Sequence, residues 1–264
     1  VTEPADALQA LLELMRILRD PERGCPWDRA QDFASIAPYT IEEAYEVADA
    51  IARADPARLR DELGDLLFQV VFHARMAEER GWFDFAAVAR GIVDKLVRRH
   101  PHVFAAAGGT DPQALSRDWD AHKAAERRAA GARGTLADVP LALPALSRAA
   151  KLGRRAGGVG FDWPDLAGVR AKVQEELAEA DAAVAAGDAA GTQDEIGDLL
   201  FAVANWARHL KVDPEEALRR AGGRFEQRFA RMEAQAAATG RALEQLDGAA
   251  WDDLWNAAKR AERG

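Results

Sequence analysis

The chain has 264 residues, enough for two domains that each bury a core of their own. Charged residues make up 30% of it, and a net charge of −9 argues against nonspecific nucleic-acid binding, because an acidic surface repels the phosphates. The single cysteine, Cys25, excludes an internal disulfide and a cysteine-based zinc motif; with no signal-peptide pattern and no apolar run of membrane-spanning length, a cytoplasmic location is expected.

Leu8, Leu11, Leu12, Met15 and Leu18 form an apolar stripe at helical spacing that breaks at Gly24-Cys25-Pro26-Trp27. Thr40, with Glu43 three residues on, reads as the N-cap of a helix that runs to a turn near Asp55-Pro56. Helices are predicted from about Arg58 to Glu79 and from about Asp84 to Arg99, the latter stopped by Pro101. After Gly108-Gly109 comes a shorter helix with Trp119 and Lys123, then Gly131-Ala132-Arg133-Gly134, which reads as a flexible linker. A helix from Ala145 to Arg155 leads through Gly157–Pro164 into an acidic helix ending near Ala186. Another helix runs to Leu210, and Asp213-Pro214 caps a long basic one. The last helix holds Trp251, Trp255 and Lys259. Strand signals are nearly absent, so the fold class is all-α, with domains at 1–130 and 145–264 joined by a 131–144 linker.

One acidic pattern occurs twice. Glu42, Glu43, Glu46, Glu62 and Asp65 recur as Glu175, Glu176, Glu179, Glu195 and Asp198, each shifted by 133 residues without a gap. The match continues from Gly64-Asp65-Leu66-Leu67-Phe68 to Gly197-Asp198-Leu199-Leu200-Phe201, which marks a duplicated unit. At about 100° per residue, Glu175, Glu176 and Glu179 fall within an arc of about 100° and Glu195 and Asp198 lie about 60° apart, so each helix presents a carboxylate patch. Two such patches facing each other repel unless a cation lies between them. Hard carboxylate oxygens without His or Cys favour Mg²⁺ or Mn²⁺. Gly64 and Gly197, inside predicted helices, suggest close helix approach beside the acids.

The pattern Glu-Glu-x-x-Glu followed by Glu-x-x-Asp resembles the MazG family of nucleoside triphosphate pyrophosphohydrolases. So do Gly24-Cys25-Pro26-Trp27-Asp28, the run from Ala37 to Glu43, the run from Gly64 to Phe72, the run from Arg98 to Phe104, and Val159-Gly160-Phe161-Asp162-Trp163. The resemblance covers nearly the whole chain. It implies two tandem MazG-like helical domains whose helices pair across a homodimer, and Mg²⁺-dependent cleavage of nucleoside triphosphates to monophosphates and pyrophosphate with broad base preference. It implies a role in nucleotide-pool cleansing or stress response. It places metal ligands on Glu176, Glu179, Glu195 and Asp198, with Glu175 adjacent, and a second, weaker candidate site on Glu43, Glu46, Glu62 and Asp65.

A triphosphate also needs protein cations. Arg224 and Arg228 lie at i,i+4 on one helix face and match nucleotide-binding positions of the family. Lys172, one turn before Glu176, and Trp255 with Lys259 one turn later, are further candidates for substrate contact. Lys95 with Arg99, and Trp119 with Lys123, are weaker first-copy analogues. The family's basic residue ahead of the second Glu-x-x-Asp helix is absent: Gly191, Thr192 and Gln193 stand there. Phe161 and Trp163 are expected to pack the domain rather than stack a base, although a loop entering the acidic helix can do either. Asn205, two turns beyond Asp198 on the same face, can hydrogen-bond a ribose or base, whereas its first-copy match Phe72 cannot, which favours the second domain as the main catalytic one; the alternative role for Asn205 is a satisfied interface amide. Alternatives are a relative restricted to one unusual nucleotide and a non-catalytic nucleotide-binding scaffold.

Overall fold

The computed structural model describes residues 3–104, 111, 119, 122–126, 129, 131, 134–240 and 242–262. Among them every regular element is a helix. The chain forms two compact units, Val1–Trp119 and Asp120–Gly264. The Gly108-Gly109 break and residues 132 and 133 of the expected linker lie outside the described residues. Part of the expected linker is held within the second unit, where the Arg155 guanidinium donates to the carbonyls of Ala137 and Asp138.

The first unit contains α1 (Pro4–Leu18), the short α2 (Pro26–Ala30), α3 (Phe33–Ala52), α4 (Pro56–Glu79), α5 (Phe85–Arg99) and the single turn α6 (Pro101–Phe104). α4 is its axis, packing against α1, α3 and α5. Met15, Ile36, Val71, Phe72 and Met76 form the buried core, flanked by Leu11, Leu12, Phe33, Phe68 and Phe85. Phe72, the counterpart of Asn205, is fully buried there.

The second unit contains α7 (Ala145–Gly157), α8 (Leu166–Ala186), α9 (Ala189–His209), α10 (Pro214–Ala238), a 3₁₀ turn at Leu243–Gln245 and α11 (Gly248–Ala261). α8 and α9 pair closely, α7 packs on α9 and α10, and α11 folds back on α10. Gly187, in the left-handed conformation at φ 67°, ends α8 and allows the tight turn into α9.

Aspartate caps start most of these helices. Asp32 accepts from the Ser35 N–H while Ser35 Oγ receives the Asp32 N–H, a reciprocal capping box. Asp165 does the same work for α8 by accepting from the Gly168 N–H. Asp55 and Asp188 cap α4 and α9, so both pairs of caps share the 133-residue shift of the acids. Thr40, expected as an N-cap, lies well inside α3, and Pro38, the sixth residue of that helix, removes one intrahelical backbone donor. Thr40 Oγ1 instead bonds His73 Nε2 at 2.9 Å, linking α3 to α4.

Two packing expectations are overturned. A Cβ added at Gly64 or Gly197 meets nothing within 4 Å, so neither glycine marks a close approach of helices in this chain. Phe161 is 81% exposed and does not pack the domain. Trp163 does, edge-on to His209 and close to Gly168. The close approach lies elsewhere: a Cβ at Gly153 of α7 would sit 1.9 Å from Asn205 Oδ1 of α9.

Candidate metal centre

Antiparallel pairing of α3 with α4, and of α8 with α9, turns the linear acid pattern into two clusters. In the second unit, carboxylate oxygens of Glu176, Glu179 and Glu195 lie within 4.8 Å of one another; in the first, those of Glu43, Glu62 and Asp65 do so. Each seam thus brings three of its four expected ligands together. Asp198 and Glu46 are the ones left out. Acids three residues apart on a helix differ in height by about 4.5 Å, so four carboxylates do not reach one point without a cation to draw them in.

The like charges leave an electrostatic mark. Glu43 is pushed above the usual carboxylate range, by burial first and then by Asp65, Glu46 and Glu62. Glu179 is raised in the same way, by desolvation and then by Glu176 and Glu195. Hard oxygens gathered within 4.8 Å of one another, with mutual repulsion that raises Glu43 and Glu179, fit a divalent cation.

Lys172 lies at the second cluster, its Nζ 2.8 Å from Glu175 and 2.7 Å from the buried Glu176. These bonds raise the pKa of the ammonium well above its ordinary value, Glu175 contributing most. Glu175 is thereby turned to Lys172 rather than into the converging three. In the first unit the equivalent charge comes from Arg58, whose Nε lies 2.9 Å from Glu62. Its counterpart is Gly191, so the basic residue missing ahead of the second Glu-x-x-Asp helix is present in the first copy. The sequence reading missed Arg58, although the 133-residue shift points straight to it.

Of the other expected substrate contacts, all but Asn205 form a separate group on the α10–α11 hairpin. Phe225 and Phe229 of α10 pack on Trp255 and Trp251 of α11, at ring separations of 5.6 and 6.3 Å. The Arg228 guanidinium and the Lys259 ammonium both lie over the Trp255 ring, at 5.4 and 5.8 Å. Arg228 also holds Glu262 through a two-point ion pair at 2.8 to 3.1 Å, and Arg224 stands exposed one turn earlier. Arg224, Arg228, Trp255 and Lys259 thus share one hairpin, while the acids and Lys172 belong to the α8–α9 pair.

Asn205 is a satisfied packing amide. It is 1% exposed, donates to the Phe201 carbonyl at 3.2 Å and accepts from Arg208 Nε at 3.1 Å. Arg208 also grips Asp162 at 2.6 and 2.8 Å, and His209 Nε2 bonds the same carboxylate at 2.8 Å. These bonds, led by that from Arg208, hold Asp162 down to about 2. The network ties the segment entering α8 to α9 and was not foreseen from the sequence. In the first unit, Arg99 lies over Trp119 at 5.0 Å.

Helix pairs that converge carboxylates without His or Cys define an all-α centre suited to hard divalent ions. Residues 31–104 match the model of the MazG nucleotide pyrophosphohydrolase domain, and residues 163–224 match that of phosphoribosyl-ATP pyrophosphohydrolase. A nucleoside triphosphate pyrophosphohydrolase of Escherichia coli K12 is 49% identical over 97% of this chain and 98% of its own. A nucleoside triphosphate pyrophosphohydrolase/pyrophosphatase MazG of Thermotoga maritima is 42% identical over 95% of each chain. The Bacillus subtilis protein YabN, described as uncharacterized, is also 42% identical over 95% of this chain, which covers 51% of YabN. The chain belongs to the MazG family of pyrophosphohydrolases, and both of its units carry the family's acid pattern. No helix among the described residues is long and apolar enough to cross a membrane.

Proposed function

We propose that this protein hydrolyses nucleoside triphosphates to monophosphates and pyrophosphate, with broad base preference, at the second-unit acid cluster and with Mg²⁺, or Mn²⁺, as cofactor. The observation that carries the reading is the convergence of Glu176, Glu179 and Glu195 within 4.8 Å beside Lys172. Glu176, Glu179 and Glu195 would hold the ion, and Asp198 would complete the set by a side-chain rotation. Held there, a divalent ion would supply the positive charge that offsets the charge on the scissile phosphoanhydride.

The remaining work falls to the chain's own cations and rings. Lys172 is placed to pass from Glu175 and Glu176 to a phosphate oxygen once an ion neutralises them. Arg228 and Arg224 offer guanidinium donors to the phosphates the ion leaves uncovered. Trp255 gives a face for the base, with Lys259 beside it. Asn205 acts through packing, by holding Arg208 and so the entry to α8.

The reading includes a homodimer. Leu200, Phe201 and Val203 of α9 are 52%, 39% and 37% exposed, as are Leu63, Leu67 and Val70 of α4 at 49%, 41% and 38%, so apolar faces next to both acid seams lack cover in one chain. A second copy would supply it. The domain limits 1–130 and 145–264, an intracellular location and a role in nucleotide-pool cleansing or stress response belong to the same proposal. Incubation with mixed nucleoside triphosphates and Mg²⁺, followed by chromatography, tests it. Monophosphate with pyrophosphate is expected; diphosphate with orthophosphate would mean a different bond is cut, and tight binding without turnover would mean a scaffold.

A further inference from the structure

Gln69 of α4 is 6% exposed, and its Oε1 is buried without a hydrogen-bonding partner in the chain. A buried amide oxygen left unmet weakens the fold. The helix pair does not need an amide there, since the matching residue of the second copy is Ala202, buried as well at 3% exposure. A buried group that weakens the fold and that packing does not require calls for a partner from outside the chain.

Its place in the helix identifies that partner. At about 100° per residue, Gln69 projects within about 20° of Glu62 and about 40° of both Asp65 and His73. Glu62 and Asp65 converge with Glu43 of α3, and His73 bonds Thr40, three residues earlier on α3. Gln69 therefore lies in the α3–α4 seam between these two links, one turn from the acid triad. Its amide oxygen accepts only, so the partner must donate. A hydrated divalent ion held by carboxylates keeps several waters whose protons point outward.

We propose that Gln69 is the outer partner of a hydrated divalent cation held by Glu43, Glu62 and Asp65, its Oε1 accepting a hydrogen bond from one of the ion's waters. The proposal rests on the reading of the acid triads as cation sites and adds a difference between them. Each triad already has one cation bonded to it, Arg58 at Glu62 and Lys172 at Glu176, so the difference between them is the amide, which Ala202 replaces in the second unit. The first unit therefore holds its ion more tightly, as a positioning site in its own right.

Mn²⁺ serves as the probe, titrated into the full chain with free Mn²⁺ read by electron paramagnetic resonance. Two sites per chain of unequal affinity are expected. Gln69→Leu weakens the tighter one about tenfold or more and leaves the other unchanged, the usual effect of losing an outer hydrogen-bonding partner of a metal site. Gln69→Glu, which keeps the acceptor, retains the tight site, and Glu195→Ala removes only the weaker one. In cation-free buffer Gln69→Leu melts at or above the parent temperature, because it removes an unmet amide, so a loss of Mn²⁺ affinity cannot be put down to misfolding. Two sites with both affinities unchanged in Gln69→Leu would overturn the role of Gln69 and leave the cation reading intact. Absence of any Mn²⁺ site lost in Glu43→Ala would overturn the cation reading of the first unit itself.

Discussion

In the first unit Arg58 reaches Glu62 from within α4, whereas in the second the matching residue is Gly191 and the balancing cation comes from α8, where Lys172 bridges Glu175 and Glu176. The seams diverge further beyond the acids. Gln69, Thr40 and His73 line the first, and Ala202, Val173 and Trp206 stand at the matching positions of the second. The converging triads differ too, leaving out Glu46 in one unit and Asp198 in the other. A duplicated spacing thus repeats the supply of ligands, while the side chains around it decide which carboxylates meet and what offsets their charge.

The two acid clusters are expected to contribute unequally to turnover. Glu176→Ala or Glu195→Ala is expected to lower pyrophosphate release by about 100-fold or more, since losing a ligand leaves an underbound ion among repelling carboxylates. Glu43→Ala or Asp65→Ala should leave most of the activity. For Asp198→Ala, a loss as large as that of Glu176→Ala would show that the fourth carboxylate joins the working site. Steady-state kinetics with circular dichroism as a folding control decides each case, and the reverse order of effects would move catalysis to the first unit.

Arg228→Ala should raise KM about tenfold or more with a smaller change in kcat, the scale of a lost charge-assisted hydrogen bond of about 1.5–3 kcal/mol. Glu262→Gln should act the opposite way, lowering KM by freeing the guanidinium that Glu262 now holds. Initial rates over a nucleotide concentration series separate the two terms.

Divalent ions should stabilise the fold, by about 2.7 kcal/mol at 100-fold over the dissociation constant. The pH dependence follows from Glu43 and Glu179, whose pKa values are raised in the folded chain. In the ion-free protein the folded state binds these protons more tightly than the unfolded one, so stability falls as pH rises through the raised values. An ion reverses that loss, and its stabilising effect should therefore be largest near neutral pH and fade on acidification. Melting temperatures with and without Mg²⁺ across that range check it.

Asp162 titrates with the opposite sign. Held down to about 2, it contributes stability that is present above the ordinary aspartate range and lost as pH falls toward that value. Asp162→Ala should destabilise the second unit by about 1–3 kcal/mol, because Arg208 and His209 lose their shared acceptor, and should flatten the acid limb of its melting curve. The smallest effects belong to Gly64→Ala and Gly197→Ala, each expected to add up to about 1 kcal/mol, since a Cβ there meets open space. A loss of stability together with dissociation in light scattering would place a partner subunit on that face.

Much of the molecule was legible in the chain alone. Helical periodicity, aspartate and proline at helix starts, and glycine at helix ends located most of the helices, because these signals act within a few residues. The gapless 133-residue shift revealed the duplication, and the absence of His and Cys from the acid pattern pointed to a hard cation. The capping-box spacing of Thr40 and Glu43 pointed to a later start for α3, although the Asp32 cap that begins it has a counterpart in Asp165 at the same shift. Side-chain neighbours across helices were beyond the sequence. Only the pairing of α8 with α9, and of α3 with α4, decided which three acids converge, that Lys172 and Arg58 offset them, that Asn205 is consumed in packing, and that Gly64 and Gly197 face open space. Such contacts depend on rotation and height between separate helices, and residue spacing along one chain does not encode either.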